Sequence, residues 1–207
     1  MENAVVDAVS ELQTAVNTAR KSVENDLWSG AGGQVLDLLG QVHRLRAQVE
    51  SIELHLVGEV ISRGIPAEVG AVDPRAYLIG ALTMSPAEAT VTVKLAEALG
   101  SRLVDTGAAL ADGEICRDRA RAILDVVTGL PPAAWPGQQA EVEAILLEAA
   151  AQLNAKDLRR LAKVVQAYLD PDGAEPREQA AKRKRAAHLR PNGDGTQTLR
   201  WTDTNAA

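Results

Sequence analysis

Three histidines and one cysteine are the side chains of this 207-residue sequence best suited to metal or nucleophilic chemistry. His43 and His55 stand twelve residues apart. At roughly 100° per residue on one helix they point about 120° apart and cannot share a ligand face. His188 is remote from both, and neither an HExxH pair nor the Cys/His spacing of a zinc site occurs. Cys116 falls near a predicted helix N-terminus, but no histidine lies near it in sequence and a capping or packing role is expected. A lone cysteine also excludes an internal disulfide and a CxxC redox pair. Gly30-Ala31-Gly32-Gly33 lacks the Lys-Ser/Thr that completes a phosphate loop, and no strand pattern precedes it, so it reads as a linker. No GxSxG elbow is present. The expectation is a protein that is not an enzyme and that uses no metal or cofactor.

Charge chemistry is the next candidate. The chain carries 22 Lys+Arg against 28 Asp+Glu, a net charge of -6, and aromatics are 2% with no Phe. Bulk electrostatics therefore does not recruit nucleic acid, and base-stacking platforms are absent. The charge is unevenly divided, since residues 177–207 hold seven basic and three acidic side chains. Lys182-Arg183-Lys184-Arg185, with Arg177 and Arg190 near it, is a run able to contact phosphates of double-stranded DNA in a weak, salt-sensitive way. The alternative is a solvated helix whose cations answer an acidic body. A second set, Arg117, Arg119 and Arg121, is diluted by Glu114 and Asp118.

The segment Pro74–Gly100 has the outline of a helix-turn-helix, with a tight turn at Leu82-Thr83-Met84. Its second helix would offer Glu88, Thr90, Thr92, Lys94 and Glu97 to a groove, one cation against two anions. Lys94 is a candidate phosphate contact, yet the helix as a whole reads better as packing than as a DNA reader.

The elements that would position these groups are helical. Val5, Val9, Leu12, Val16, Ala19 and Val23 follow a 4-3-4-3-4 spacing, and after the glycine break Val35, Leu38, Val42, Leu45, Val49, Ile52 and Leu56 follow 3-4-3-4-3-4. These are a/d seams of heptad helices, the second running to Arg63-Gly64. Two seams joined by a short linker predict an antiparallel hairpin, and the same seams can pair between chains, as a homo-oligomer or with a helical protein partner. Asp73-Pro74 opens a helix to about Ala81, and Ser85-Pro86-Ala87-Glu88 opens another to Gly100. Further helices are predicted over about 105–111, 117–128, 137–153 and, capped by Asn154, to Leu169. A basic helix from about Pro176 to His188 follows, then Leu189–Gly195 and Thr196–Trp201 read as a turn flanked by β segments.

Several stretches taken together resemble a known family. Leu82-Thr83-Met84-Ser85-Pro86-Ala87-Glu88-Ala89 with Val93–Leu99 resembles the "LSPAEA…V.LA.AL" core of domain of unknown function 222, a helical domain often fused ahead of an HNH endonuclease module in actinobacteria. Ala109–Ile115 leading to Ala120-Arg121 resembles its "ALA.GEI…AR" element, Leu169–Gly173 its "LDPDG" stretch and Leu189–Gly195 its "LRPDGDG" turn. The resemblance implies the accessory half of a nuclease-associated family. The nuclease module would follow the last of these turns, and the chain stops about a dozen residues beyond it, which reads as a truncation.

The expected architecture is mainly α: a long N-terminal helical hairpin over 1–64, a compact bundle of short helices over 65–170, and a basic helix with a small C-terminal β hairpin over 171–207. The expected function is a non-catalytic accessory module contacting DNA through Lys182, Arg183, Lys184, Arg185, Arg190 and Lys94. The rival is an association module built on the Val35–Leu56 seam, and a third reading is an inactive truncated member. No apolar run approaches the ~18 residues of a membrane span, so a cytoplasmic location without membrane contact is expected.

Overall fold

A computed structural model describes residues 2–26, 31–129, 136–169, 186–191 and 196–202. Among them the chain is mainly α, with nine helices, and it divides into two units, Met1–Arg46 and Ala47–Ala207.

The first unit holds α1 (Glu2–Asp26) and the first half of α2 (Gly32–Ser62). No Gly or Pro interrupts α1, and local bonds support it. The Thr14 and Thr18 hydroxyls donate to the carbonyls of Ser10 and Thr14, both at 3.0 Å, and Arg20 pairs with Glu24 one turn on at 2.9 Å. At the start of α2 the Gln34 side chain reaches back to accept from the Ala31 N–H at 3.3 Å, half of a capping box. Val5, Val9, Val16 and Val23 are exposed, as are Leu38, Val42 and Leu45. An antiparallel hairpin would have covered both stripes, so the expected closure of α1 on α2 is corrected. The α1 stripe is mostly Val and Ala, whose small buried area contributes little toward ordering two long helices.

The second unit begins inside α2, at Ala47. The reason is burial: Ala47, Leu54 and Val57 enter the core, which the first half of the helix does not. Gly64, at φ +68, supplies the left-handed residue that ends α2. A single turn, α3 (Ile65–Glu68), follows, unannounced by any periodicity. The Asp73 carboxylate caps α4 (Pro74–Leu82) by accepting from the Ala76 N–H at 2.8 Å, and the Ser85 hydroxyl caps α5 (Pro86–Leu99) by accepting from Glu88 N–H at 3.2 Å. Then come α6 (Val104–Ala111), α7 (Arg117–Thr128), α8 (Pro136–Ala150) and α9 (Ala155–Leu169), the last capped by Asn154.

Helix α7 is the axis of this unit. It buries Ala120, Ala122, Ile123, Leu124, Val126 and Val127 and packs against α5, α6, α8 and α9. Leu95, Leu103, Leu110, Leu146 and Leu158 complete the core, each removing about 1.5–3 kcal/mol worth of apolar surface from water. With no Phe to fill space, alanines at Ala89, Ala98, Ala120 and Ala150 let the helices approach closely.

The terminal strands β1 (Ala186–Pro191) and β2 (Gln197–Thr202) pair antiparallel, from Ala186↔Thr202 to Pro191↔Gln197. The basic helix expected to reach His188 is therefore corrected over Ala186–His188, which are strand. Pro191 disfavours helix in the residue before it, and the facing Thr198 and Thr202 suit a strand. Residues 176–185 lie outside the described residues.

Candidate association interface

The second half of α2 presents two apolar faces. On an ideal helix, positions two apart are separated by about 200°. Leu54 is 2% exposed, while its neighbours on the other face, Ile52 and Leu56, are 50% and 49% exposed. Ala47 and Val57 belong with Leu54, and Val49 belongs with Ile52. The inner face anchors the helix in the second unit. The outer face is the heptad seam, and it continues along the first half of α2 as exposed Leu45, Val42 and Leu38 and half-buried Val35. Every seam residue expected from the spacing therefore lies on a helix, on one stripe, and six of the seven are exposed.

Polar contacts hold the inner face in place. Arg117, at the start of α7 and only 19% exposed, donates to the hydroxyl of fully buried Thr92 on α5. Its other guanidinium nitrogen lies 3.5 Å from the Glu53 carboxylate on α2. Further along, Glu59 pairs with Arg63 at 2.8 Å. Gly58 faces the Ala96 carbonyl oxygen, where an added Cβ would stand 3.9 Å away. Beside this crossing lies a groove of about 680 Å³ whose lining includes Gly58, Ala96 and Gly107 together with Ser51, His55 and Glu97.

Two of the six candidate DNA contacts lie among the described residues. Lys182, Arg183, Lys184 and Arg185 lie outside the described residues. Arg190 is in β1, opposite Thr198. Lys94 is exposed on α5, between buried Val93 and Leu95. The helix-turn-helix outline is present as α4 and α5, and the turn holds Thr83 at φ +53. Its second helix buries Ala89, Thr92, Val93, Leu95, Ala96 and Ala98 and leaves Glu88, Lys94 and Glu97 exposed.

Two features escaped the sequence reading. Arg117 looked like one member of a diluted basic cluster, and nothing in its spacing marked Thr92 and Glu53 as its partners. Glu143 is buried on α8 and accepts from both the N–H and the hydroxyl of Thr106, in the first turn of α6. Only its place beside the Val142–Leu146–Ala150 row hints at burial. His43 and His55 are exposed on α2, and Cys116 is the partly buried N-cap of α7, without a side-chain capping bond. Among the described residues no three His, Cys, Asp or Glu side chains are grouped so as to hold a metal ion, and no helix is long and apolar enough to cross a membrane.

The model of the family described as domain of unknown function (DUF222) matches residues 36–202. The chain belongs to the DUF222 family. The match takes in nearly all of α2 and every described element after it, so the seam from Leu38 onward is part of the DUF222 region while α1 precedes it. No curated protein and no solved structure matches the chain.

Proposed function

We propose that this DUF222 chain is a non-catalytic accessory module, of the kind found beside HNH nucleases, whose work is protein–protein association through the outer face of α2. The observation that carries this reading is a single stripe from Leu38 to Leu56 that stays exposed, on a helix whose second half buries Ala47, Leu54 and Val57 on the opposite face. Exposed apolar residues scattered singly need no account, but a continuous row at heptad spacing is a surface that water disfavours and another helix covers.

Site-specific photo-crosslinking inside cells tests it. A photoreactive residue at Ile52 is expected to give a protein adduct, identified by mass spectrometry, that the same residue at exposed Lys163 on α9 does not give. No adduct at Ile52 or at Leu45 would sink the reading.

A DNA-contacting role is the second reading, favoured by the seven basic and three acidic residues of 177–207. Anisotropy of labelled duplex DNA at low salt, with Lys182–Arg185 changed to Ala, tests it. Binding that is lost in the variant and falls steeply with salt supports phosphate contact; unchanged binding removes those four cations from the account.

A further inference from the structure

We infer that the occupant of the α2 stripe is a second copy of this chain, lying parallel and in register to form a two-stranded coiled coil over Val35–Leu56. This inference rests on the reading of α2 as an association surface. With Val35 at an a position, the a layers are Val35, Val42, Val49 and Leu56 and the d layers are Leu38, Leu45 and Ile52. Over Val35–Val49, β-branched residues at a with leucine at d favour two parallel strands over three or four, because the a side chains of a parallel pair pack with their Cα–Cβ bonds alongside the facing helix. Three heptads over 22 residues make a contact about 33 Å long.

The flanking charges agree with that register. In a parallel pair each g residue meets the e residue five positions on in the other chain. Gln41 then faces Arg46 of the second copy and Gln48 faces Glu53 of the second copy, and at neither place do like charges meet. An amide beside a guanidinium can accept, and beside a carboxylate it can donate, so one residue type serves both. Leu39, at an e position and exposed, widens the apolar strip. The geometry of the second half of α2 leaves this surface accessible, since the core takes only the opposite face.

Sedimentation velocity over a concentration series tests the second copy, and disulfide trapping tests the orientation. The chain is expected to sediment at twice its mass at micromolar concentration, and the Leu45→Asp/Ile52→Asp variant at its own mass. Both substitutions are at exposed positions, so the unit from Ala47 onward keeps its fold, which circular dichroism checks. In a Cys116→Ala background, Val42→Cys is expected to oxidise to a covalent dimer, because a residues of a parallel in-register pair face each other. A dimer that Val42→Cys does not trap overturns the parallel register, and a trimer overturns the two-stranded assembly. A monomer at every concentration, with an Ile52 adduct to another protein, overturns the second copy and leaves the association reading standing. A monomer without any adduct overturns both.

Discussion

The carboxylate of Glu143 on α8 receives the backbone N–H of Thr106 at 2.8 Å and its hydroxyl at 2.7 Å, both on one oxygen. Thr106 lies in the first turn of α6, where backbone N–H groups have no partner within the helix. The residue before α6, Leu103, has no capping side chain, so a carboxylate from 37 positions away performs the capping and ties α8 to α6. Replacing Glu143 by Ala would leave a buried hydroxyl and N–H without their acceptor. A loss of about 2–4 kcal/mol is expected in urea denaturation. Glu143→Gln keeps an acceptor oxygen and is expected to lose less than Glu143→Ala; equal losses would show that the charge, not the acceptor, matters.

Arg117 connects three helices, and its two contacts differ in worth. Thr92 is fully buried, whereas the Glu53 carboxylate is partly exposed and 3.5 Å away. Arg117→Ala is expected to cost about 1.5–3 kcal/mol, most of it from the Thr92 contact. Glu53→Gln should cost less than about 1 kcal/mol, as water screens the pair. A double-mutant cycle between the two positions measures the coupling directly.

Two glycines should respond to alanine with opposite signs. At Gly107 on α6 a Cβ would meet the Leu99 carbonyl oxygen at 3.3 Å and the Leu99 Cβ at 3.5 Å, at the close approach to α5. Gly107→Ala is expected to destabilise by about 1–3 kcal/mol through overpacking, less the gain in helix propensity. At Gly40 on α2 nothing stands within 4 Å, and Gly40→Ala is expected to raise the helicity of α2 by about 0.5–1 kcal/mol in favour of the helix. Thermal melts followed by circular dichroism check both.

The Asp73 carboxyl titrates below its ordinary value of 3.8, held there first by the Ala76 N–H it accepts and then by the Arg75 guanidinium. A group with a depressed folded pKa adds stability above its unfolded value and loses it as pH falls through the folded one. The cap should therefore contribute fully at neutral pH and fade in acid, below pH 3.8. Asp73→Asn keeps an oxygen for the Ala76 N–H, so the difference in Tm between the two proteins should shrink between pH 7 and pH 3. A difference that stays constant across that range would contradict the assignment.

Much of the helical order was legible because punctuation in this chain is chemically explicit. Asp73-Pro74 and Ser85-Pro86 each place a capping oxygen and a fixed φ where a helix must start, and α4 and α5 begin at those prolines. The start and end of α7 were likewise readable, from the turn at Asp112-Gly113 and from Gly129. The seam on α2 was legible as a stripe, yet its environment was not. Heptad spacing says which residues share a face and nothing about what covers it, so a hairpin within the chain was as consistent with the pattern as an open surface. The second stripe, Ala47, Leu54 and Val57, was hidden by the first, since a helix apolar on both sides shows no single period. The packing role expected of α5 is carried by six buried positions, among them a threonine and three alanines, which read as neutral on a sequence scale.

The change of environment along α2 has a consequence for how its backbone amides trade hydrogen with solvent. From Gly32 to Arg46 the helix has no buried residue, whereas Ala47, Leu54 and Val57 pin the remainder. A helix without tertiary contacts opens readily, so the first half should exchange within the opening free energy of an isolated segment, and the second half only with the bundle. One continuous helix would then carry a step in protection near Ala47. Dilution and concentration should move that step, because any chain that covers the outer stripe adds its binding free energy to the closed state of the first half.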